Sequence, residues 1–223
     1  MKESTSKEKV LKAIRHAQLE ADYPKKVMDI DTRSSIFSDI NEFPEIYFAN
    51  QLRKVGGHFY HCKDDLELHL SLKHIITNND TVYTCEPEIE QFLKNGNKLL
   101  PDNSSINFLN HEQGLKTASV VITLCECLVA RFGTVVMSSR QLTGRKAHTV
   151  PKTHIVIALP DQIVGELPSA FRFLQNRYGK TMPSMLTFIT GPSRTSAMQG
   201  DFVYGVTGAA NLYVLYLDTQ YER

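Results

Sequence analysis

The chain has 223 residues, 42% of them hydrophobic and 22% charged, which suffices for one large globular domain or two small ones but not three. Its 25 Lys and Arg against 24 Asp and Glu leave a formal charge of +1, so no global field draws in nucleic acid or an anionic membrane. No apolar run approaches the roughly 18 residues of a membrane span. The polar start MKESTSKEKV lacks a signal-peptide core, and Cys62, Cys85, Cys125 and Cys127 are too few for a disulfide framework. These bounds predict a cytoplasmic globular protein.

Thr5 and Glu8 stand in capping-box spacing, and Val10, Ile14, Ala17 and Ala21 share one face of a helix that ends at Tyr23-Pro24. The chain is then polar and broken as far as Pro44, so residues 1–44 read as an N-terminal helix and connector. Such an arm can pack on its own domain or exchange contacts with a second copy, which points to a homodimer. Residues 45–223 read as one α/β domain. Glu45 to Val55 is helical and stops at Gly56-Gly57; His58 to Cys62 is a short strand. Residues 64–78 are expected to be a helix capped by Asp64, although Leu66, Leu68, Leu70 and Leu72 also alternate like a strand. Thr81 to Thr84 is a strand, and a helix opens at Pro87 and closes at Gly96. Further on, strands are expected at Ser119–Thr123, Thr134–Ser138, Thr153–Leu159, Met185–Thr190 and Asn211–Leu217. Between them, helices are expected from Leu124 to Phe132, ended by Gly133, and along the stripe Val164, Leu167, Phe171, Leu174 and Tyr178, ended by Gly179. This alternation implies a largely parallel sheet between helices.

The best candidate for chemistry is Thr190-Gly191-Pro192-Ser193-Arg194-Thr195, directly after a buried strand. In open α/β sheets ligands sit beyond the carboxyl ends of strands. Gly191 lets backbone come close, Ser193 and Thr195 offer hydroxyls, and Arg194 can clamp a carboxylate or phosphate. Gly-Pro-Ser also makes an ordinary turn and helix cap, and the residues alone do not choose. Gly205-Val206-Thr207-Gly208 is a second glycine-bearing turn, equally at home in any hairpin; neither a P-loop nor a dinucleotide fingerprint is present. Gly133 is most simply a helix-terminating glycine, with Arg131 beside it favouring the helix end electrostatically. His58, His61 and Cys62 lie close in sequence but 58 and 61 face opposite sides of a strand, and Cys125-Glu126-Cys127 has the wrong spacing for zinc. No metal site is expected.

Four blocks, taken in order, resemble the LUD-domain family in its lactate-utilisation protein C-like branch. They are ASVVIT with FGTVV, then PKTHIVIALPDQIVGEL, then TFITGPSRTS, then GVTGAANLYVLYLD, spanning about Ala118 to Asp218. The resemblance implies the open α/β sandwich of sugar-phosphate isomerases and CoA-transferases, and a role in L-lactate oxidation beside iron–sulfur partner proteins. It places clusters in those partners and none in this chain. The sequence also departs from the family. A-E-T-G-T is here Ala130-Arg131-Phe132-Gly133-Thr134, S-[KR]-T-A-D-I-E is Ser193-Arg194-Thr195-Ser196-Ala197-Met198-Gln199, and G-V-H-G-P is Gly205-Val206-Thr207-Gly208-Ala209. Three acids and one imidazole are gone from these blocks.

Losing them removes proton-transfer groups and keeps an anion cradle. The expected site therefore comprises Thr190, Gly191, Ser193, Arg194, Thr195, Gly205, Thr207 and Gly208, with Arg131, Gly133 and Thr134. The two glycine-bearing turns are expected to converge on a positively charged hollow for a small anionic ligand, in an accessory subunit without catalysis of its own. The alternative is a self-sufficient enzyme on a phosphorylated sugar, acyl-CoA or folate-like acid, for which Glu126 is the acid to examine first.

Overall fold

The computed structural model describes residues 6–20, 37–77, 80–99, 107–108, 114–142, 146, 148–196 and 201–218, and the chain divides into two units, 1–39 and 40–223. The first contains helix α1 (Ser6–Glu20). Thr5 and Ala21, expected to cap and extend it, lie outside the described residues.

In the second unit, α2 (Pro44–Lys54) begins with proline, whose fixed φ suits a first helical turn, and gives way at Gly56 (φ 88°) to strand β1 (His58–Cys62). Helix α3 (Asp65–Ile75) follows, and the Asp64 side chain accepts from the Glu67 N–H at 2.8 Å. Helical periodicity prevails over alternation there: Leu68 and Leu72 are buried while Leu66 and Leu70 are exposed. Next come β2 (Thr81–Tyr83), α4 (Pro87–Leu99), β3 (Asn107–Phe108), α5 (Gly114–Thr117) and β4 (Val120–Leu124). Helix α4 runs through Gly96 rather than closing at it.

The expected helix from Leu124 to Phe132 is not there. Leu124 completes β4, Cys127–Val129 forms strand β5, and Ala130–Phe132 is a single 3₁₀ turn closed by Gly133 in the left-handed conformation (φ 60°). Residues 125 and 127–130 are all buried, because β5 lies between two packed layers; a fully buried strand shows no alternation and reads like a helix segment. The chain continues with β6 (Thr134–Ser138), β7 (Thr153–Ala158), β8 (Ile163–Val164), α6 (Leu167–Tyr178), β9 (Leu186–Thr190), β10 (Arg194–Ser196), β11 (Phe202–Tyr204) and β12 (Asn211–Leu217).

Six strands form an all-parallel sheet in the order β1-β12-β7-β4-β2-β3. A mixed sheet has the order β8-β5-β6-β9, and β10 pairs with β11 as an antiparallel ribbon. One face of the parallel sheet packs Ile122, Ile155 and Leu215 against Leu68 and Leu72 of α3 and Ile89 and Leu93 of α4. The other face packs Val156 and Val214 against Leu128, Val135 and Met137 of the mixed sheet and against Phe48 and Leu52 of α2. Ala170 and Leu174 of α6 cover the outer side of the mixed sheet. The protein is thus α/β, a mostly parallel sheet flanked by helices, with a second sheet inserted on one side. Each fully buried Leu, Ile or Phe in these layers contributes about 1.5–3 kcal/mol. Among the described residues no helix is long and apolar enough to cross a membrane.

Candidate functional site

The two glycine-bearing turns meet. Strand β9 ends at Thr190, and Gly191 (φ 80°) turns the chain where a Cβ would stand 2.6 Å from the Val55 carbonyl oxygen. Its glycine is therefore required by the end of α2, not by a ligand. Ser193 then donates its backbone N–H to the Ala209 carbonyl at 2.8 Å, and the Gly205 N–H donates to the Ser193 carbonyl at 2.9 Å. The Ser193 and Thr207 hydroxyl oxygens lie 3.3 Å apart, and a Cβ on Gly208 would come within 3.1 Å of the Ser193 Cβ.

This clamp borders a half-open hollow of about 210 Å³ between the carboxyl end of β9 and the amino ends of β7 and β12. Thr190, Gly191, Ser193, Thr207 and Gly208 line it, with Thr134 behind Thr190 at 2.7 Å between hydroxyl oxygens. So do His148 and His154. His154 is fully buried; its Nε2 is 2.9 Å from the Thr123 hydroxyl, and its Nδ1 has no hydrogen-bond partner among the described residues. Burial, and then the nearby His148, push its pKa down to about 3, and burial lowers His148 too. Both rings are held toward the neutral form, in which one nitrogen donates and the other accepts.

The other expected site residues lie elsewhere. Thr195 and Arg194 stand on the exposed ribbon, and the Arg194 guanidinium sits 5.2 Å from the centroid of the Phe202 ring. Gly205 braces the clamp without lining the hollow. Arg131 is buried and donates to Glu166 at 2.8 Å, which neutralises its charge. Gly133 packs against α2, where a Cβ would stand 2.3 Å from the Leu52 nitrogen. The expected positively charged hollow is therefore replaced by one of hydroxyls and neutral imidazoles, because one guanidinium is ion-paired in the core and the other lies on the ribbon. His148 and His154 carry no spacing that marks them: one lies in the turn before β7 and the other inside that strand.

Glu126 occupies the bend between β4 and β5 and is 3% exposed. One oxygen accepts from the hydroxyls of Ser138 and Tyr178, and the other lies 3.2 Å from Arg177 Nη1. It does not line the hydroxyl-rich hollow, and an acid so engaged there leaves the enzyme reading without its named base.

The family model described as LUD domain matches residues 47–217. A curated relative, "Lactate utilization protein C" of Geobacillus thermodenitrificans, is 35% identical over 108 residues, 48% of this chain and 45% of that protein. The protein of the same name from Bacillus subtilis is 36% identical over 104 residues, 45% and 43% of the two chains. The chain spans about half the length of the curated relatives it matches. Among solved structures, a DUF162 family protein from Deinococcus radiodurans superposes with a TM-score of 0.54 at 18% identity, covering 78% of this chain and 96% of that one. That likeness is one of fold.

Proposed function

The chain belongs to the LUD-domain family, and from that premise we propose that it serves a lactate-utilisation system as an accessory subunit binding a small hydroxy acid in the hollow clamped by Ser193 and Thr207. The system is suggested by the names of its relatives. The ligand class is suggested by the lining: hydroxyls of Thr190, Ser193 and Thr207 beside two imidazoles supply donors and acceptors together, which suits a molecule carrying both a carboxylate and a hydroxyl. A cavity of roughly 150 Å³ holds benzene, so about 210 Å³ holds a hydroxy acid of lactate size with one or two waters.

In this reading the iron–sulfur clusters belong to partner proteins.

The observation carrying the proposal is the convergence of Ser193, Thr207, His148 and His154 on one hollow. Its test is thermal denaturation with L-lactate and related 2-hydroxy acids. At 100 times the dissociation constant a ligand adds about 2.7 kcal/mol, a rise of about 5–10 °C for a chain of this size. Ser193→Ala abolishes the rise and Arg194→Ala preserves it. The opposite pattern, or no rise with any hydroxy acid, overturns the assignment. Recovery of cysteine-rich partners with the tagged protein from its native host tests the accessory role, and their absence counts against it.

A further inference from the structure

At the other end of the parallel sheet lies a second hollow, of about 270 Å³. Leu124, Ile157, Leu159 and Leu217 form its floor at the carboxyl ends of β4, β7 and β12, and Leu68, Ile89 and Phe92 of α3 and α4 wall it. Such carboxyl-end crevices are where open parallel sheets take ligands, and an apolar lining with a few convergent polar groups is the usual composition of a small-molecule site. Two charged residues line it, Arg177 and Glu88.

These two are not equivalent. Glu88 lies in the first turn of α4 and is exposed, so water screens it. Arg177 is 37% exposed and fixed from behind: Glu126, only 4% exposed and itself anchored by Ser138 and Tyr178, lies 3.2 Å from its Nη1. The Glu126 carboxylate offsets part of the Arg177 charge, as Glu166 does for Arg131. But Arg177 is 37% exposed and lines the hollow where Arg131 is buried, so the N–H donors that Glu126 does not face remain for a ligand, in the planar fork that suits a carboxylate. The hydroxyl-lined hollow has no guanidinium; this one has a pre-positioned guanidinium above a greasy floor.

We infer that this hollow binds an apolar monocarboxylate, its carboxylate on Arg177 and its hydrocarbon body among Leu68, Phe92 and Leu217. On the scale of the benzene cavity the volume admits about ten or eleven non-hydrogen atoms, the size of octanoate or an arylalkanoate. Lactate has no hydrocarbon body for such a lining. The inference is therefore independent of the hydroxy-acid site.

The test is isothermal titration of the full chain with sodium octanoate, 1-octanol and octylamine. Octanoate binds about tenfold more tightly than octanol, as a charge-assisted hydrogen bond requires, and octylamine binds more weakly than either. Arg177→Gln weakens octanoate about tenfold and leaves octanol unchanged. Leu159→Trp, which fills the hollow from its floor and keeps both Arg177 and Glu126, abolishes binding of both and decides the matter if Arg177→Gln does not fold. Ser193→Ala leaves octanoate unaffected, separating the two sites. No octanoate binding, octylamine binding as tight as octanoate, equal octanoate affinity in Arg177→Gln, or binding that survives Leu159→Trp each overturns the inference.

Discussion

Replacing Gly133 with alanine lowers the midpoint of thermal unfolding by about 10 °C. Two effects add. The backbone at Gly133 is left-handed (φ 60°), which costs an L residue of order 1 kcal/mol. The new Cβ would also stand 2.3 Å and 2.6 Å from the nitrogen and Cα of Leu52 and 2.7 Å from the carbonyl carbon of Gln51. These are backbone atoms in the last turn of α2, so no side chain can swing aside, and that end of α2 must retreat from the mixed sheet. Phe48 and Leu52, both fully buried, move with it. Overpacking of this kind costs about 1–3 kcal/mol, which brings the total to about 3 kcal/mol or more. Gly56→Ala is the control: its φ is also positive (88°), but the added Cβ meets only the Pro192 ring carbons at 3.6 Å and 3.7 Å, ordinary contact, so the backbone cost of about 1 kcal/mol is what remains. Circular dichroism melts of the two variants make the comparison, and equal losses would show that the contact with α2 does not hold Gly133 in place.

Acidification from pH 7 to pH 5 removes about 2 kcal/mol of stability through His154 alone. An unfolded histidine takes up its proton near pH 6.5. The folded ring, pushed to about 3 by burial and by His148, does not. Between those values the unfolded chain binds more protons, so falling pH favours unfolding, and the penalty grows from about pH 6.5 down to about pH 3. His148, also lowered by burial, adds in the same direction. His154→Gln keeps a polar group toward the Thr123 hydroxyl and cannot titrate. Urea midpoints at the two pH values then differ less in the variant than in the parent. An identical difference would mean that His154 is protonated in the folded state as readily as in the unfolded one.

The strands that carry the hydrophobic runs VVITL, TVVMS, THIVIA, LTFIT and NLYVLYL are legible in the sequence, because parallel and sandwiched strands need apolar residues on both faces. Asp64 and Pro87 mark helix starts by capping and by fixed φ, and Gly133 and Gly179 mark the ends of turns by positive φ. What was hidden is whatever depends on the partner layer. Cys127–Val129 is too short and too buried to declare its period, so β5 read as part of a helix. The same limit applied at the site. Chain order put Ser193 near Thr207, and the structure joins them by backbone hydrogen bonds. Arg131 looked like a free cation because Glu166, its partner, lies 35 residues away and across β6 and β7. Thr190 belongs to the mixed sheet, so its loop reaches the amino ends of the parallel strands rather than the carboxyl ends that an α/β reading expects.

Strand β12 lies between β1 and β7, with His58 opposite Tyr213 on one side and Ile155 opposite Tyr213 on the other. Of the described strands, the one in second position in space is therefore the last to be synthesised. Until residues 211–217 emerge, β1 has no neighbour, and β7 presents one row of unsatisfied backbone groups beside the apolar Ile155, Val156 and Ile157. Closing a sheet through so distant a pairing is slow, and open edges recruit other chains meanwhile. A premature stop before Asn211 thus yields no smaller version of the protein but a sticky, half-built sheet, and nascent chains of this kind are natural clients for chaperones.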